Sequence, residues 1–154
     1  MQSSSLGHFM RESGPWTYAI VNLAHVLGIS TLFGSILVLD LRLVGIGRRL
    51  PLAAVSSAVV PVATAGFLIA ATTGVGLLAT KATEYVGNPF LLIKFPAIAL
   101  GLLNVGVLKS TSAWRAHQLR ELTAGEQRQL AVFGGLSLLC WLTAITAGRM
   151  IAYW

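Results

Sequence analysis

Residues 13–39, SGPWTYAIVNLAHVLGISTLFGSILVL, contain no Asp, Glu, Lys or Arg. About 20 predominantly apolar residues cross the hydrocarbon core of a bilayer as one helix, so this stretch predicts a membrane span over roughly residues 16–40. Uncharged runs also occupy 50–80 and 129–148, and 85–108 is interrupted only by Lys94. They predict three more spans, over about 53–78, 124–151 and 89–109. With 55% hydrophobic residues, 10% charged and a mean hydropathy of +0.76, a water-soluble chain of 154 residues would have nowhere to put its apolar surface. The expected fold class is all-α: an integral membrane four-helix bundle forming one domain over residues 1–154, in contact with the lipid bilayer.

Outside the spans, residues 3–13 set Leu6, Phe9 and Met10 at helical spacing with His8 and Arg11 between them. That pattern predicts a short amphipathic interfacial helix. Gly14-Pro15 ends it, and Trp16 and Tyr18 mark the interface where the first span enters. The apolar run that follows is too long for a signal h-region and has no small-x-small exit, so the first span is expected to stay. Cys140 is the only cysteine; it lies within the fourth span, where a buried apolar thiol is the ordinary reading and no disulfide or thiolate metal site is available.

The net charge of +6 is a topology signal, with no nucleic-acid partner implied. Arg42, Arg48 and Arg49 fill the first loop and Lys109, Arg115, Arg120 and Arg128 the third, whereas the second loop sets Lys81 against Glu84. By the positive-inside rule the first and third loops are cytoplasmic and both termini are outside. The same basic excess attracts anionic lipid heads.

Local signals refine the spans. Asp40 and Arg42 close the first one at its cytoplasmic end; two residues apart, they do not share a helix face, so each is expected to bind a neighbouring helix or the interface. The second span is rich in small residues (Thr64, Gly66, Thr72, Thr73, Gly74 and Gly76) and reads as a packing helix, with Pro61 as a candidate kink. Asn88-Pro89 is a cap followed by proline at the first helical position, and Pro96 predicts a bend close to Lys94. Thr123 and Glu126 have the spacing of a capping box, and Trp114 is expected at the interface of the polar third loop.

Three ionisable residues sit inside otherwise uncharged spans: His25, Lys94 and Arg149. A Lys or Arg in the middle of a span is disfavoured by roughly 2.5–3.5 kcal/mol on insertion scales unless a partner or a water-filled cavity receives it. Counting about 1.5 Å per residue from the outer interface, His25 lies about 13 Å down, and Lys94 and Arg149 about 8 Å. Tyr18, Asn22, His25 and Gly28 share one stripe of the first helix, Lys94, Ala97 and Gly101 one of the third, and Leu142, Thr146 and Arg149 one of the fourth. Small residues beside polar ones are what a cavity lining requires.

A planar macrocycle with two carboxylates would satisfy this arrangement. In a haem b, iron takes a neutral imidazole nitrogen, here His25, and Lys94 and Arg149 match the propionates. Two plain readings stay open: His25 as a hydrogen-bonded packing residue, and the cations snorkelling to the interface without a ligand. No second intramembrane His exists. His8 lies outside, His117 belongs to a cytoplasmic loop, and Met150 points about 100° from Arg149. Five-coordinate iron or a Lys94 amine as sixth ligand remain.

The stretches WTYAIVNLAHVLG (16–28), GSILVLDLRLVG (34–45), NPFLLIK (88–94) and AGRMIAY (147–153) resemble a bacterial family of four-span membrane proteins of unknown function. That family is distantly similar to the membrane domain of copper-resistance protein D and to the four-span haem-binding protoporphyrinogen oxidases. In the latter an intramembrane His in the first helix and a Lys in the third are the hallmark pair; His25 and Lys94 match those positions. The resemblance implies haem b and a multi-pass place in the bacterial cytoplasmic membrane. Where many sequences of the family carry a His at the end of the third helix, after Asn104, this chain has Lys109, so the resemblance does not extend to a second haem site.

The function expected is therefore a haem-b membrane protein that passes electrons, with quinone or a larger redox complex as partner, alone or as a homo-oligomer. The alternatives are an oxidase of a porphyrin precursor and a non-redox scaffold or small transporter. A transporter calls for an acidic residue near the midplane, and by residue count Asp40 is too close to the cytoplasmic end.

Overall fold

The structure, a computed structural model, describes residues 14–80 and 87–153. The expected interfacial helix over 3–13, the loop charges Lys81 and Glu84, and Trp154 fall outside them. Four long helices account for most of the described chain: α1 (Gly14–Val44), α2 (Leu52–Thr80), α3 (Pro89–Ser110) and, after a short α4 (Ser112–Ala116), α5 (Ala124–Met150). A 3-10 turn, Ile151–Tyr153, follows, and no strand occurs among the described residues. Each long helix is long and apolar enough to cross a membrane.

The helix ends are chemically determined. Asn88 accepts a hydrogen bond from the Phe90 amide (2.9 Å) with Pro89 at the first helical position, and Thr123 and Glu126 form the complete capping box. At the end of α1 the Ile46 amide reaches back to the Leu41 carbonyl (2.9 Å) over Gly45, whose φ of 112° is a conformation that side chains with a Cβ rarely adopt. The chain turns there within a few residues and α2 runs back antiparallel.

Small residues set which helices touch. A Cβ on Gly66 would lie 2.6 Å from the Leu32 amide nitrogen, and one on Gly28 2.8 Å from that of Ala70, so α1 and α2 cross with backbones in contact. Gly134 admits Leu43 and the Asp40 backbone from α1 onto α5, and Gly101 of α3 receives the Trp141 indole of α5. The resulting order is α2, α1, α5, α3: α2 and α3 are not packed backbone to backbone. α1 and α5 are the inner helices, and α5 has the larger buried share, 39% of its most apolar window against 17–22% for the others.

The outward faces carry large apolar side chains on all four helices, among them Ile20, Leu68, Leu92 and Val132. Such a continuous surface matches lipid rather than water. Below, the "upper" end holds Trp16, Pro89 and Met150, and the "lower" end the first and third loops. At the lower end α4 adds structure that the sequence did not announce. Ala113 is fully buried among Leu43, Leu52, Leu108 and Leu130, and Trp114 packs against that cluster. The expected interface anchor is thus partly a core residue.

Candidate functional site

The imidazole of His25 is held by α2. Its Nδ1 lies 3.0 Å from Thr73 Oγ1, and that hydroxyl donates to the Ile69 carbonyl at 2.5 Å. The hydroxyl proton being committed, Thr73 meets the ring as an acceptor, so His25 Nδ1 carries the ring proton and Nε2 keeps a lone pair. Gly74 makes the space: a Cβ there would stand 2.9 Å from His25 Cε1. A neutral imidazole with Nδ1 bonded to a fixed acceptor is the form in which histidine ligates metals.

Lys94 approaches from α3. Its ammonium runs along Gly148 of α5, where a Cβ would lie 3.3 Å from Nζ, and it is the charged group whose field reaches His25. Arg149 turns away. It is exposed, donates to the Tyr153 hydroxyl (2.9 Å) and stacks over that ring at 5.1 Å. Neither cation has a carboxylate partner among the described residues, where Arg120–Glu126 is the ion pair observed.

The other predicted residues divide. Tyr18 and Asn22 are exposed on the upper part of α1, above His25. Gly28 is buried at the crossing of α1 and α2, in contact with Ala70 and Gly66. The stripe of α3 below Lys94 is filled: Ala97 is buried and Gly101 is covered by Trp141. Leu142 and Thr146 are exposed on the outer side of α5. The expected cavity lining is therefore helix contact on one side and outward-facing surface on the other. The field of Lys94 reaches His25, but the two pack against different helices, His25 on α2 and Lys94 along α5, and Arg149, next to Gly148, is exposed. Among the described residues no group of three or more His, Cys, Asp or Glu could hold a metal ion by itself.

A second polar group, deeper in the bundle, has no counterpart in the expected site. Asp40 is 3% exposed, Asn104 4% and Ser137 4%. Ser137 stands halfway along α5 and is the hydrogen-bonding group facing Asp40, while Asn104 Nδ2 donates to the Phe133 carbonyl (3.0 Å) one turn before Ser137. Asp40 thus binds a neighbouring helix, as its sequence position implied, but well inside the bundle rather than at its end. Lower down, His117 is buried too. Its Nε2 lies 2.9 Å from Ser56 Oγ and its Nδ1 bonds the Trp114 carbonyl, and burial holds the imidazole below its usual range against that carbonyl's opposing pull. The loop histidine is a tie between α4 and α2.

Comparison of the chain with protein-family models, with curated proteins and with solved structures finds no match in any of the three.

Proposed function

We propose that this chain is a b-type haem membrane protein of the bacterial cytoplasmic membrane, with both termini outside, that carries electrons to or from quinone or within a larger redox complex. One observation carries the reading: an imidazole with Nδ1 anchored by Thr73 lies within the field of a half-buried lysine, and at the same end stands an arginine; neither cation has a carboxylate partner among the described residues. The residues present fit the group. Gly74 supplies the clearance for the imidazole, Nε2 would be the ligating nitrogen, and α2 and α3 do not pack backbone to backbone.

Bound there, haem supplies a one-electron iron couple. The chain's own residues orient and neutralise. Thr73 would fix the ring plane and tautomer, Lys94 would hold one propionate in a site partly screened from water, and Arg149, whose hydrogen-bond partner is neutral Tyr153, would pair with the other. Lys94 and Arg149 would thereby offset the two negative charges of the macrocycle.

The test is His25→Ala. The Soret band of the purified protein should disappear while the helical far-ultraviolet spectrum is retained; an unaltered Soret band, or a colourless parent protein, sinks the proposal. The orientation is tested separately. A thiol introduced near Ala54 or Ser112 in a Cys140-free background should react only from the cytoplasmic side, and labelling from outside would reverse it.

A further inference from the structure

Three buried polar atoms among the described residues have no hydrogen-bond partner: Asp40 Oδ2, Asn104 Oδ1 and Trp141 Nε1. They belong to one region. Asp40 from α1 and Asn104 from α3 converge on the turn Phe133–Ser137 of α5, and Trp141 follows one turn above Ser137. This region is far from either end of α5. Ser137 is thirteen residues from Ala124 and from Met150 alike, about 20 Å each way.

Among the described residues an ionised Asp40 has no cation to meet it. On its own helix Arg42 is turned to the Leu50 and Arg48 carbonyls. α2 has no ionisable residue. α3 offers Lys94 near its upper end, against Gly148, and exposed Lys109 beyond Leu108. α5 offers the buried thiol of Cys140, Glu126 and Arg128 in its first turns, and Arg149 at its far end. Asp40 forms no ion pair with any of these. A bare carboxylate in an apolar interior is strongly disfavoured, whereas a carboxylic acid converts Oδ2 from an orphaned acceptor into a donor, and an unfilled acceptor, Asn104 Oδ1, stands at the same turn. A protonated carboxyl with polar neighbours inside a membrane is the form in which such proteins bind and relay protons.

We propose that Asp40, Ser137 and Asn104 form an intramembrane proton-binding site, separate from the pair His25 and Lys94. Asp40 takes a proton from water to give a neutral acid, no electron moves, and Ser137 and Asn104 hold the carboxyl in place. The proposal does not depend on haem, and the chain's single aspartate makes it directly testable.

The full chain in lipid nanodiscs, at neutral pH and in sodium-free buffer, is measured by infrared difference spectroscopy between wild type and Asp40→Asn. That substitution keeps the side-chain shape and fills the Oδ2 position with a donor, so the variant folds; circular dichroism and gel filtration verify it. The expected result is a protonated carboxylic acid carbonyl band, shifted by deuterium exchange and lost in Asp40→Asn. It should fade reversibly as pH is raised. Ser137→Ala, which keeps Asp40, should move the midpoint of that titration by about one pH unit. Four results overturn the proposal: a carboxylate band at neutral pH lost in Asp40→Asn, which makes the cluster a hydrated ion; an acid band that survives the substitution; a band that neither exchanges nor titrates; and loss of the band on adding sodium at constant pH, which makes the site one for a metal cation.

Discussion

Replacing Gly66 by alanine should force α1 and α2 apart. The added Cβ would stand 2.6 Å from the Leu32 amide nitrogen, 2.9 Å from the Gly28 carbonyl oxygen and 3.1 Å from Leu32 Cα. All three are backbone atoms, so no side-chain rotation relieves the clash. Ordinary contact between such atoms begins near about 3.5 Å, and the helices must separate by roughly 1 Å at this point. Overpacking of this kind costs about 1–3 kcal/mol. The control is Gly106→Ala in α3, where a Cβ meets nothing within 4 Å and the gain in helix propensity is up to about 1 kcal/mol. Reversible unfolding of both variants in detergent should therefore give shifts of opposite sign. The effect should also travel. Thr73 lies two turns above Gly66 on the same helix, so separating α1 from α2 should lengthen the contact of His25 with Thr73 and, on the proposed function, weaken haem binding. If Gly66→Ala is as stable as Gly106→Ala, the backbone-contact crossing is wrong.

Thr73→Val removes the acceptor that orients His25 while preserving shape, and should lower haem affinity about 10- to 100-fold by titration without changing the helical spectrum; equal affinity would show that the ring needs no such support. His117 gives a pH dependence. Its folded-state pKa is lowered by burial, so the unfolded chain takes up the proton first; this contribution is full above about pH 6.5 and is lost as pH falls through the lower folded value. Unfolding midpoints in detergent should fall between about pH 7.5 and the acid range, and His117→Gln should flatten that slope; an unchanged slope assigns it elsewhere. Thr123→Ala removes the cap of α5 and should destabilise the protein by about 1 kcal/mol in the same unfolding assay, and a shift no larger than that of an exposed Ser57→Ala control would leave the capping box without energetic weight.

Some of this was legible in the sequence. Helix lengths follow from the charge-free runs, and the starts of α3 and α5 from Asn88-Pro89 and from Thr123 with Glu126, because those signals act within one turn. The neighbours of each helix were not legible. Helical phase places His25 and Gly28 on one stripe, yet it cannot say that Gly28 is spent on the crossing with Ala70 while the imidazole reaches Thr73. Helices apolar on every face give no inward direction, so the buried position of Trp141 has no signal in the sequence. Asp40 shows the limit of counting depth along a single helix. It is four residues from Val44, but it packs on α5 beside Gly134, ten residues inside that helix, because α1 overlaps its neighbour only in part.

The central claim is most directly tested by the reduced-minus-oxidised visible spectrum of the purified full chain, before and after dithionite. Haem ligated by His25 predicts a Soret band that shifts on reduction, with the sharpened long-wavelength bands of a b-type haem in stoichiometric amount. A protein that is folded, stable and colourless after haem supplementation would contradict it, leaving His25 and Lys94 as a packing histidine and an interface anchor.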